Sequence, residues 1–153
     1  MRTIKFKGKS VDSSEWIEVY FYEEGNIPYT INDRQKKSML NGNESVLVDP
    51  DTICQFTGLL DKNGKEIYDG DVLRSDKYPY SCIEIEERDN YFGVIEWNEN
   101  KAAFYIVTIK NPKSSVKGIS DGISDYLSKS ALQDFEVIGN INDDEWKRFR
   151  EHL

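Results

Sequence analysis

The sequence predicts a mostly β protein, a β-rich α+β chain built as a small, partly open β-barrel. An N-terminal β sub-domain precedes it and a C-terminal helix caps it. Three observations carry this. Nine Tyr and seven Phe, with many Val and Ile, favour strands, whereas the helix formers Ala and Leu are sparse. Short runs of apolar–polar alternation recur between glycine and asparagine turns. The last twelve residues read as a helix with its own start signals. At 153 residues and 38% hydrophobic content, the chain can bury a core in one cooperative unit. The division expected is 1–48 for the N-terminal sub-domain and 49–153 for the barrel with its helix.

Ile4-Lys5-Phe6-Lys7 alternates and makes the first strand, with Ile4 and Phe6 inward and the lysines outward. Gly8 and the polar stretch Ser10–Ser14 follow as a turn. Trp16–Tyr22 is a second strand, apolar on both faces and therefore covered on both. Ile27–Ile31 is a third, placed at a sheet edge by Pro28. The polar stretch Asn32–Asn43 reads as a loop. Ser45–Val48 and Thr52–Phe56 are strands separated by Asp49-Pro50. Leu59-Leu60 and Glu66-Ile67-Tyr68 flank Asn63-Gly64, a hairpin signal expected to form a type I′ turn with φ > 0 at both residues. Gly70, between Asp69 and Asp71, marks a tight corner before Val72-Leu73. Strands follow at Cys82–Glu87, Tyr91–Trp97 and Ala102–Ile109, with Asn98–Lys101 turning the last pair.

Asn111–Asp125 is rich in Ser, Gly and Lys. It repeats Gly-Ile-Ser-Asp at 118–121 and 122–125, too short to define a repeat unit, and reads as a loop into a helix over Asp125–Gln133. Phe135–Ile141 is the last strand. Asn142 then suits an N-cap with Glu145 at the third helical position. Trp146, Phe149 and Leu153 fall on one helical stripe, so the segment reads as a lid on the sheet.

Charge narrows the function. The net charge is −8, and the excess lies in one third of the chain. Residues 49–100 carry thirteen acids against five bases, while residues 1–48 and 101–153 are each balanced. An acidic middle repels phosphate backbones and disfavours nucleic acid. It also suits a basic protein partner. Glu84, Glu86, Glu87 and Asp89 form the acidic stretch that such a partner would meet, although a solvated strand edge explains the same residues. No apolar run reaches the roughly 18 residues of a membrane span, and the alternating N-terminus does not resemble a signal peptide. Cys54 and Cys82 read as reduced thiols of a cytoplasmic protein. With the single His152 they cannot complete a zinc site.

The chemistry-bearing motifs are few. Asp61-Lys62-Asn63-Gly64-Lys65-Glu66 invites a calcium reading, but Lys65 and Glu66 stand where that loop needs an oxygen ligand and a glycine. Glu66, Asp69 and Asp71 supply carboxylates for acid–base work or a divalent ion, and equally supply turn residues around a glycine. No nucleophile elbow or phosphate-cradling loop occurs. The reading therefore assigns no catalytic residue, no metal and no cofactor.

Gln55–Leu73, running Gln-Phe-Thr-Gly-Leu-Leu-Asp-Lys-Asn-Gly-Lys-Glu-Ile-Tyr-Asp-Gly-Asp-Val-Leu, closely resembles the signature of the YopX family of bacteriophage and prophage proteins. The Ile4–Gly8 opening, Val48-Asp49-Pro50-Asp51-Thr52 and Val137-Ile138-Gly139-Asn140-Ile141 also fit. Asp69 departs from an expected Glu, and neither Asn32–Asn43 nor Asn111–Gln133 carries a family pattern. The resemblance implies a phage or prophage origin and a β-rich fold of barrel type, with no activity or ligand residues to carry over. The motif reads as structural, through Asn63, Gly64 and Gly70. The expected function is a non-enzymatic accessory protein acting in the bacterial cytoplasm through protein–protein contacts or self-association. The rival is a small nucleic-acid-binding barrel using Lys5, Lys7 and Lys9.

Overall fold

The computed structural model describes residues 3–19, 37–41, 44–75, 91–109, 125–126 and 129–147. It falls into two compact units, Met1–Phe56 and Thr57–Leu153. Described strands pair antiparallel throughout, and no sheet closes on itself, so the barrel expectation is corrected to open sheets.

In the first unit, β1 (Phe6–Lys9) lies between β2 (Trp16–Val19) and β5 (Cys54–Leu60). Val19 and Val48 are its buried centre, with Phe6, Ile17 and Ile53 packed against them. Two expectations fail here. Ile4 lies outside the strand and is 63% exposed. Gly8 is no turn but a buried strand residue, where an added Cβ would touch Val48 at 3.5 Å and Ile53 at 3.6 Å. A glycine inside a strand marks such a close approach. The predicted loop Asn32–Asn43 also contains a strand, β3 (Lys37–Asn41), paired residue for residue with β4 (Glu44–Val48). Its polar composition hid it, because local composition does not report pairing with a distant neighbour. Asp49 caps a 3-10 turn at Pro50–Thr52 by accepting from the Asp51 N–H.

The second unit holds a five-stranded sheet in the order β10-β9-β8-β7-β11. Its strands are β7 (Asp71–Ser75), β8 (Tyr91–Asn98), β9 (Ala103–Ile109), β10 (Asp125–Tyr126) and β11 (Glu136–Asn140). The later residues of β5 neighbour the short β6 (Glu66–Tyr68). Alternation gives the five-stranded sheet two apolar faces. One presents Leu73, Ile95, Phe104 and Ile106, covered by Ile67, Leu132 and Phe135. The other presents Val72 and Val94, packed with Phe92, Ile138, Ile141 and Trp146. The helix expected over Asp125–Gln133 is replaced by β10 and a single helical turn, α1 (Lys129–Leu132).

The lid helix expected from Asn142 is corrected as well. Residues 141–147 form consecutive turns, closed by Asp143 N–H to Asn140 O and by Trp146 and Lys147 N–H to Asp143 O. Asn142 is not a cap; its buried N–H donates to the Asn140 side chain at 2.9 Å. Trp146 nonetheless covers the sheet. It seats on Gly139, where any Cβ would come within 2.3 Å of its Nε1. Phe149 and Leu153 lie outside the described residues, as do Tyr20–Tyr22, Ile27–Ile31, Cys82–Glu87 and Asn111–Gly122. No helix among the described residues is long and apolar enough to cross a membrane.

Candidate functional site

The motif from Asp61 to Asp71 gathers the carboxylates that sequence reading singled out. Its hairpin tip is built on Asp61. That buried side chain accepts from the N–H groups of Asn63 at 2.8 Å and Lys65 at 2.9 Å through Oδ1. Gly64 N–H closes a turn back to Asp61 O at 3.0 Å. Gly64 has φ +81° and Asn63 is not among the positive-φ residues. The tip is therefore not the expected type I′ turn. It is a longer loop in which a turn precedes one left-handed glycine, the form that three-residue hairpin loops take. Asp61 Oδ2 turns the other way and accepts from Val137 N–H in β11 at 2.9 Å, while Lys62 N–H donates to Phe135 O.

The corner at Asp69-Gly70-Asp71 does the same at the other end of β11. Gly70 sits at φ +75°, which a side chain would resist. Its N–H donates to Ile95 O at 2.7 Å and its carbonyl accepts from Ile141 N–H at 2.9 Å. Asp71 is fully buried, with Oδ2 accepting from Tyr68 N–H at 2.7 Å and Oδ1 from Asn140 Nδ2 at 2.9 Å. Asn140 also reaches Asp69 O at 3.3 Å. Buried polar groups are costly unless paired, and here each reaches a partner.

Asp69 differs. It is half-buried, and burial, with Glu96 nearby, pushes its carboxyl up to about 6. Glu96 accepts a hydrogen bond from Tyr105 Oη at 3.2 Å across the β8–β9 pair. Burial and then Glu96 push the Tyr105 phenol up. Glu66 accepts from Tyr68 Oη at 2.7 Å. The three acids proposed as ligands thus serve different partners, and no three His, Cys, Asp or Glu side chains gather around one point among the described residues. Glu136, a neighbour of the motif, pairs with Arg74 and with Lys62 at 3.4 Å. The Arg74 hydrogen bond holds its carboxyl below the usual range.

Sequence reading missed Asn140 and the anchoring role of Asp61. Both had a signal. Asn140 is one amide inside the aliphatic run Val137–Ile141, and an Asp two residues before Asn63-Gly64 suits a side-chain-closed turn. Cys54 donates its thiol to Thr52 O at 3.3 Å. Cys82, His152, Glu84, Glu86, Glu87 and Asp89 lie outside the described residues.

The family model described as YopX protein matches residues 3–145. The chain belongs to the YopX family. The clamp just described spans the part of this YopX chain from its signature motif to its last strand. Among solved structures, protein EF1440 from Enterococcus faecalis is similar, with a TM-score of 0.50 and 21% identity over 95% of this chain and 97% of that one. That likeness shows a shared fold. No curated protein matches this YopX chain.

Proposed function

We propose that this YopX protein is a non-enzymatic accessory protein of a phage or prophage, working in the bacterial cytoplasm through protein–protein contacts that include contacts with its own copies. One observation carries the reading. Two of the motif's carboxylates, Asp61 and Asp71, are spent on backbone N–H groups and, for Asp71, on Asn140 as well. A carboxylate whose oxygens are taken up by buried donors has little left to offer a substrate or an ion. The surface supplies an anchor of the kind that partners use. Trp97 is 41% exposed and is held edge-on to Phe104 at 4.9 Å between ring centres. Rigid exposed aromatics are characteristic of interface centres.

Light-scattering mass and stoichiometric co-purification from host cells test the proposal. A mass above one chain, or a complex of fixed ratio weakened roughly tenfold by Trp97→Ala, supports it. A turnover abolished by Asp69→Asn in a protein that still unfolds cooperatively overturns it.

A further inference from the structure

We propose that Asn63-Gly64, at the hairpin tip of the signature motif, is a site of spontaneous deamidation gated by the hydrogen bonds that Asp61 makes to the tip. The site is independent of the protein–protein contacts proposed above.

The chemistry needs only the chain and water. The Gly64 backbone nitrogen attacks Asn63 Cγ, so that an N–Cγ bond forms and the Cγ–Nδ2 bond breaks. The Gly64 amide proton leaves with the Asn63 amide as ammonia. Water then opens the cyclic imide at either carbonyl, giving aspartate or the β-linked isoaspartate. No oxidant, reductant or second protein takes part. Glycine favours the step, because it sets no Cβ beside the attacking nitrogen and lets the backbone turn. Asn63 and Gly64 are both exposed. Even a Cβ built on Gly64 would meet nothing within 4 Å, so no packed neighbour crowds that side of the closure.

What holds the reaction back is Asp61. Gly64 N–H donates to Asp61 O at 3.0 Å, while Asp61 Oδ1 accepts from Asn63 N–H at 2.8 Å and from Lys65 N–H at 2.9 Å. The attacking nitrogen is thus occupied by the Asp61 carbonyl and must be released before the imide closes. Releasing it takes only a local opening of an exposed tip, far easier than opening a core strand. The corner of the same motif supplies the contrast. Asp69-Gly70 can form the same imide by losing water, but Gly70 is buried and its N–H donates to Ile95 O of β8 at 2.7 Å. Freeing that nitrogen means opening the sheet. Isoaspartate at 63 would add a main-chain carbon inside the loop and pull its N–H groups out of register with Asp61. Asp61 also holds Val137 N–H at 2.9 Å, so the modification loosens the anchor of the last strand.

The test is peptide mapping by mass of the full chain after days at mildly alkaline pH, with isoaspartate scored separately. Mapping also separates Asn63 from Asn41-Gly42, whose glycine lies outside the described residues. Folded wild type is expected to convert Asn63 while Asp69 stays unchanged. Asp61→Ala should convert Asn63 at least roughly tenfold faster, the equivalent of losing one hydrogen bond to a charged group. Guanidinium chloride below the unfolding transition gives the second measurement, on wild type alone, and decides the matter where Asp61→Ala does not fold. A local opening exposes little surface, so the rate at Asn63 should hardly change there. A folded wild type that keeps Asn63 intact while the unfolded chain reacts overturns the proposal. A rate that climbs in step with global unfolding overturns it as well, and so does a folded Asp61→Ala chain that reacts no faster than wild type.

Discussion

The two glycine turns of the signature motif look alike in sequence and are unlike in the fold. Gly64 and Gly70 both take left-handed backbone, at φ +81° and +75°. At Gly64 an added Cβ would meet nothing within 4 Å, whereas at Gly70 it would press on Ile141 at 3.2 Å and on Asn140 at 3.3 Å. The hairpin tip needs glycine for its own conformation only. The corner needs it for conformation, for close packing and for a buried network that ties β7, β8 and β11 together. The same residue type thus carries a local constraint at one end of the motif and a tertiary one at the other.

The largest expected effect lies at the corner. Asp71→Ala leaves the Tyr68 N–H and the Asn140 amide without their buried acceptor. It should cost about 3–5 kcal/mol, since each unsatisfied buried donor costs about 1–3 kcal/mol. Urea unfolding measures it, and a loss under about 1 kcal/mol would show that the network relaxes freely. Gly70→Ala should follow at about 2–3 kcal/mol, from roughly 1–2 kcal/mol of left-handed strain and the contacts with Ile141 and Asn140.

Asp69→Asn sharpens the comparison by moving the other way. The folded-state carboxyl titrates at about 6 against an ordinary 3.8. Between those values the folded chain therefore binds more protons than the unfolded one. Stability contributed by the protonated form is lost as the pH rises from about 4 to about 6. Asp69→Asn should remove that slope and stabilise the protein above pH 6 by about 2 kcal/mol, discounted for the solvent that reaches a half-buried group. Melting temperatures of both proteins across this range check it, and parallel curves would place the titration elsewhere. Gly64→Ala is the smallest change. It should cost about 1 kcal/mol, from backbone strain without any clash.

Local signals made much of the fold legible. The β8–β9 hairpin, β4, β7 and β11 were readable because alternation and turn residues agree with the final pairing. The strand at Lys37–Asn41 was not, because Lys, Ser and Asn carry no apolar alternation and only β4 gives them a partner. The terminal segment misled in the opposite way. Asn142, Asp143, Asp144 and Glu145 have the composition of a helix start. Yet Asn140 accepts the Asn142 N–H, and Asp143 Oδ2 accepts the Asn140 N–H at 3.0 Å, so the polar residues close turns instead. At the candidate site the positions of the two glycines were readable. What each carboxylate binds was not, because Asp61 meets Val137 from 76 residues away and Asp71 meets Asn140 from 69.

The central claim is that Asp61 and Asp71 hold the last strand in place. A double-mutant cycle on Asp71→Ala and Asn140→Ala tests it most directly, by urea unfolding of wild type, both single variants and the double. Two groups that serve each other should couple by about 1–3 kcal/mol, so that the double variant loses much less than the sum of the single losses. Losses that add to within about 0.5 kcal/mol would contradict the account, and would leave Asp71 available for a role that the fold does not explain.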